Sequence, residues 1–132
     1  KKGYHMTDKI LLDTNFLVAP FQHSFDIFDE IDRLYPLHKL YTLDDAVEEA
    51  KSIEGGKYGP LAEKLIERKD IEVLETHGEG EVDDLIVDVS DEFAVATNDK
   101  ELKQRLLDRG REVVIIRSGT HLEVLNRSSV GF

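Results

Sequence analysis

The chain has 132 residues, 40% hydrophobic and 34% charged, which suits one compact domain with a single core and a soluble, globular chain rather than a disordered one. It has no cysteine, so disulfides and thiolate zinc sites are excluded, and no apolar run approaches the roughly 20 residues of a membrane span. The formal net charge of −11 weighs against a polynucleotide partner, because phosphate contacts dominate that kind of affinity. Bound cations would offset part of that charge locally, and Lys57, Lys64, Arg68, Lys100, Lys103, Arg105 and Arg109 are candidates for a basic strip along a backbone. Freedom from cysteine fits a reducing interior, and the chain is read as cytoplasmic. Lys1-Lys2-Gly3-Tyr4-His5 lacks the apolar core of a signal peptide and reads as a cloning remnant before Met6, with 6–132 as a single domain.

Lys9–Leu12 is a short apolar run bounded by polar residues, as expected of a parallel strand buried on both faces. Ser24 is placed to cap a helix over Phe25–Leu34, in which Phe25, Phe28, Ile31 and Leu34 recur at helical spacing, and Tyr35-Pro36 ends it. Lys39–Tyr41 is a weaker strand. Thr42 with Asp45 three residues on resembles a capping box for a helix through Ser52, before Gly55-Gly56 breaks the chain. Leu61, Leu65 and Ile66 mark a further helix to about Arg68.

Ile71–Leu74 reads as a strand, Gly78–Gly80 as a loop and Val82–Ser90 as a helix with Val82, Ile86 and Val89 on one face. Phe93–Ala96 is the next buried strand. Asn98 with Glu101 is a second capping-box candidate, Leu102, Leu106 and Leu107 form the inner stripe of the following helix, and Gly110 terminates it. Val113–Ile116 is the strongest strand signal, and His121–Leu125 is either a short edge strand or a tail. Strands alternate with helices throughout, which predicts a parallel sheet flanked by helices.

Acids recur where these strands end. Asp13-Thr14-Asn15 follows the first, and Thr97-Asn98-Asp99 repeats the same chemistry after Phe93–Ala96. Glu48-Glu49 and Asp83-Asp84 ride on amphipathic segments between them. In an open parallel sheet the carboxyl ends of the strands face one crevice. Carboxylates sharing a crevice repel one another unless a cation relieves them, and hard oxygen ligands suit magnesium or manganese. Each acid also has an ordinary structural explanation: Asp13 as a helix cap, Asp99, Asp83 and Asp84 as first-turn acids, and Glu48 or Glu49 as part of a solvated helix face. His5, His23, His38, His77 and His121 show no zinc-type spacing, no serine sits in a nucleophile elbow, and no glycine-rich loop has phosphate-cradling spacing.

Asp13-Thr14-Asn15-Phe16, Glu49, Val82-Asp83-Asp84 and Ala96-Thr97-Asn98-Asp99, in this order and spacing, resemble a PIN domain from Lys9 to Arg117. Gln22 and Asp26-Ile27 extend the resemblance to the branch that includes small-subunit ribosomal RNA processing nucleases, and VapC-type toxins share the acids at greater distance. The resemblance implies a three-layer α/β/α sandwich with a mostly parallel sheet, and an RNA-cleaving enzyme using magnesium or manganese. Asp13, Glu49, Asp83 and Asp99 match the metal-site acids and Asp84 a second acid of this branch, with Glu49 preferred to Glu48 on the helix pattern. Asn15, Thr97 and Asn98 match polar neighbours of the site. Products with 5′-phosphate and 3′-hydroxyl ends, self-association as a homodimer and, for the toxin branch, an antitoxin partner are further implications. A binding module without cleavage is the main rival. A receiver-like phosphoacceptor fits poorly, because its acid pair belongs near the first strand and Glu48-Glu49 falls in a helix pattern.

Overall fold

The computed structural model describes residues 7–76 and 80–126. The expected remnant at Lys1–His5, and all of the Gly78–Gly80 loop except Gly80, lie outside them. The chain runs β1 (Lys9–Leu12), α1 (Thr14–Val18), α2 (Ile27–Leu34), β2 (Lys39–Leu43), α3 (Asp44–Ser52), α4 (Gly59–Arg68), β3 (Glu72–Leu74), α5 (Val82–Val89), β4 (Ala94–Ala96), α6 (Lys100–Asp108), β5 (Val113–Arg117) and β6 (His121–Leu125). The six-stranded sheet has the order β3-β2-β1-β4-β5-β6. All neighbours are parallel except β5 and β6, so His121–Leu125 is an antiparallel edge strand rather than a tail.

The apolar runs decide which strands are central. Ile10, Leu11 and Leu12 are fully buried, as are Ala94, Val95 and Ala96, because helices cover the sheet on both faces. Helices α1, α3 and α4 pack together as one group and α5 with α6 as another, giving the expected α/β/α arrangement. The chain order reverses between β1 and β4: β2 and β3 build outward from one side of β1, and β4 and β5 from the other. This switch point opens a crevice at the carboxyl ends of β1 and β4.

Four local expectations are corrected. Helix α1 has no counterpart in the sequence reading, because five residues are too few to show a helical period; it stands by burying Phe16, Leu17 and Val18. Helix α2 is capped by Asp26, not Ser24, with Asp26 accepting from the backbone N–H groups of Phe28 and Asp29 at 3.0 Å each. Thr42 is no cap, since β2 continues through Leu43 and the Thr42 hydroxyl donates to the Leu12 carbonyl at 2.8 Å. Asp99, not Asn98, caps α6. Gly110 does terminate α6, with φ 79°: its N–H donates to Leu107 and the N–H of Arg111 to Leu106, the reciprocal pair of a Schellman ending.

Candidate functional site

The strand register places the first two acids side by side. Leu12 of β1 pairs with Ala96 of β4, so the residues that follow, Asp13 and Thr97, meet at the crevice. The Asp13 N–H donates to the Ala96 carbonyl at 3.0 Å, fixing the Asp13 backbone as an extension of the sheet. Asp13 is only 4% exposed, and its carboxylate accepts from the Thr97 hydroxyl at 2.6 Å and from the Thr14 N–H at 2.7 Å. Thr97 also accepts from the Asp99 N–H at 3.1 Å, so one hydroxyl orients both aspartates. Asp99 in turn accepts from the Leu102 N–H at 2.8 Å. Asp13 and Asp99 are therefore helix caps and crevice acids at once; the two explanations of each residue are not exclusive.

Glu49 reaches the same crevice from α3. Its carboxylate accepts from the Thr14 hydroxyl at 2.6 Å, while Glu48 turns to solvent beside Lys51 at 3.5 Å. Asp83 and Asp84 lie in the first turn of α5. Asp13, Thr14, Asn15, Glu49, Asp83, Asp84 and Asp99 line a cavity of about 510 Å³, together with Glu81, Glu101 and Arg105. Of the seven candidates for a basic strip, Arg105 is the one that lines it, and its guanidinium lies 3.0 Å from the Asp84 carboxylate.

The charges in this cavity are uncomfortable. Burial pushes the Asp13 carboxyl above the ordinary aspartate value, the bonds from Thr97 and Thr14 pull it back in part, and the charges of Glu49 and Asp99 add to the rise. Asp83 is also raised, first by burial and then by Asp13, Asp99 and Glu49, with Arg105 opposing. Among the described residues, no three carboxylate or imidazole groups are gathered closely enough to hold an ion as they stand. The donor chemistry nonetheless fits one: the lining is rich in carboxylate oxygens, contains no soft ligand and carries an excess of negative charge.

Asn98 is expected beside the site and is not among the cavity's lining residues. It ties the end of β4 to β5, donating to the Ile116 carbonyl at 3.1 Å and accepting from the Ile116 N–H at 2.7 Å. Thr97 is fully buried behind the acids as their common support. Sequence reasoning did not assign Thr14 its link to Glu49 or pair Arg105 with Asp84. The signal for the first was the small hydroxyl next to Asp13; the second had none, since partners on two helices share no local pattern.

A family model described as a PIN like domain matches residues 10–119. The chain belongs to the PIN-like domain family. Ribonuclease VapC4 of Methanocaldococcus jannaschii is 28% identical over 126 residues, covering 88% of this chain and 95% of the relative. The solved structure of the PIN domain endonuclease Utp24 superimposes with a TM-score of 0.74 at 26% identity, over 88% of this chain and 90% of that one. The six-stranded, mostly parallel sheet with its flanking helices is the PIN fold. Among the described residues no helix is long and apolar enough to cross a membrane.

Proposed function

We propose that the chain is a magnesium- or manganese-dependent endoribonuclease, acting in the cytoplasm on structured or single-stranded RNA, with ribosomal RNA processing as its role. The carrying observation is the convergence of Asp13, Glu49, Asp83 and Asp99 on one cavity at the switch point of a PIN sheet. Those four would hold the cation, with Asn15 placed to hydrogen-bond a water or a phosphate oxygen. When bound, the cation supplies a water of lowered pKa and offsets charge on the phosphate oxygens.

The chain's own residues supply aim and rigidity. Thr97 fixes Asp13 and the backbone of Asp99, and Thr14 fixes Asp13 through its N–H and Glu49 through its hydroxyl. Outer contacts of this kind orient metal-binding groups and are felt in activity when removed. Among the described residues no such bond reaches Asp83, and it stays under repulsion from its neighbours, which favours capture of a positive ion. Among the described residues the cavity lining contains no histidine, so the nucleophile's proton is not assigned to an imidazole base.

A toxin-type ribonuclease is the second reading, favoured by similarity across 95% of the length of VapC4. Labelled RNA incubated with the protein in manganese, in EDTA, and with Asp13→Asn tests the nuclease proposal. Cleavage confined to wild type with metal is expected. Equal cleavage by wild type and Asp13→Asn would show that the activity arises elsewhere.

A further inference from the structure

The cavity is a poor place for RNA to land, because its lining carries Asp13, Glu49, Asp83, Asp99, Glu81 and Glu101. A cation would compensate Asp13, Glu49, Asp83 and Asp99. The phosphates along the strand still need a donor from the protein, and among the described lining residues Arg105 is the one cation. Its side chain is 41% exposed and that of Asp84 58%, so their 3.0 Å pair stands in water and adds little to folding. What the pair does is fix direction: α5 packs against α6, and Asp84 in the first turn of α5 holds the guanidinium of Arg105 at the cavity wall. A guanidinium carries five N–H donors in a planar fork, and Asp84 engages it through Nη1. The remaining donors match the oxygens of a phosphate.

We propose that Arg105 is a substrate-binding residue that takes a phosphate of the RNA strand, and that Asp84 is its positioning residue, acting through the guanidinium rather than by holding the metal. The proposal rests on the nuclease reading for its substrate, and it changes what Asp84 is for. An aspartate beside Asp83 reads in sequence as one more ligand; in the structure it pairs with the Arg105 guanidinium.

The test uses the full chain with fluorescein-labelled single-stranded RNA in manganese, comparing wild type, Arg105→Ala, Arg105→Lys, Asp84→Asn and the Asp84→Asn/Arg105→Ala double variant. Cleavage gives KM and kcat, and anisotropy in the Asp13→Asn background gives affinity over a range of salt. Arg105→Ala is expected to raise KM about tenfold, the loss of one charge-assisted contact, with kcat nearly unchanged. Its plot of log affinity against log salt should flatten by about 0.7, the value for one phosphate contact on a single strand. Arg105→Lys should restore the salt slope and part of the affinity. Asp84→Asn should raise KM less than Arg105→Ala and add nothing in the double variant, as for residues acting through one contact.

An unchanged KM and salt slope in Arg105→Ala would overturn the proposal. So would an Asp84→Asn variant that loses kcat and regains it with more manganese, since that makes Asp84 a metal ligand. If wild type does not cleave at all, the nuclease reading falls separately, and the anisotropy slopes still decide the role of Arg105.

Discussion

Glu30 on α2 and Asp83 on α5 carry the same functional group in opposite surroundings. Glu30 accepts from both Nε and Nη2 of Arg33 at 3.0 Å and from the Leu122 N–H at 2.9 Å, clasping α2 to the edge strand β6. Those bonds, led by the Arg33 guanidinium, hold its carboxyl down at about 2. Asp83 faces three other acids and is pushed the other way. A fold selected for stability alone would treat its carboxylates as it treats Glu30. On the proposed function, the crowding of Asp83, Asp13, Asp99 and Glu49 is stability given up for binding.

The sharpest way to break the contrast is to remove the shared support of the crevice acids. Thr97→Val keeps the side-chain shape but leaves the buried Asp13 carboxylate and the Asp99 N–H short of a partner. It should destabilise the protein by about 1–3 kcal/mol in urea unfolding, the cost of stranding buried polar groups. Ribonuclease activity should fall about 10–100-fold in the same variant, as when an outer support of a metal ligand is removed. A Thr97→Ser variant that keeps both properties would confirm that the hydroxyl is responsible.

Breaking the clasp is expected to cost less. Glu30→Gln should lose about 1 kcal/mol of stability, since Arg33 is well exposed and its ion pair is screened. Activity with RNA should not change. The same carboxylate predicts a pH signature. In the unfolded chain Glu30 takes up a proton near its ordinary value of 4.5, whereas the folded protein holds it charged to about 2. Its contribution is therefore complete above about pH 4.5 and is lost as the pH falls toward 2. Urea midpoints of wild type and Glu30→Gln should converge across that window.

The smallest effect has the opposite sign. Asp83→Asn removes a repelled charge and should raise the metal-free melting temperature by about 2–4 °C. A fall would mean that Asp83 is satisfied in the folded state by contacts of the kind Glu30 has.

The contrast also explains what the sequence made legible. Ile10–Leu12 and Val113–Ile115 are buried, with Ile116 half-buried, and such runs announce strands inside the sheet. The acids after two strands announced a crevice, because a parallel sheet can bring its carboxyl ends nowhere else. Capping residues were misplaced by one or two positions at Ser24 and Asn98, because Asp26 and Asp99 are equally good caps and sequence spacing does not choose between them. Helix α1 was too short to show a period. The contacts that give the site its geometry were the least legible: Thr97 to Asp13 spans 84 positions and Thr14 to Glu49 spans 35. Such pairs are set by the fold and leave no local pattern.

The central claim, that the crowded carboxylates are kept for a divalent cation, is tested most directly by melting wild type and Asp83→Asn side by side across a manganese titration. An ion that binds the folded chain at a hundred times its Kd adds about 2.7 kcal/mol to stability. Wild type should therefore gain several degrees, and Asp83→Asn, more stable at the outset, should gain little, so that the two curves cross. Parallel curves, or no response of wild type to manganese, would contradict the account.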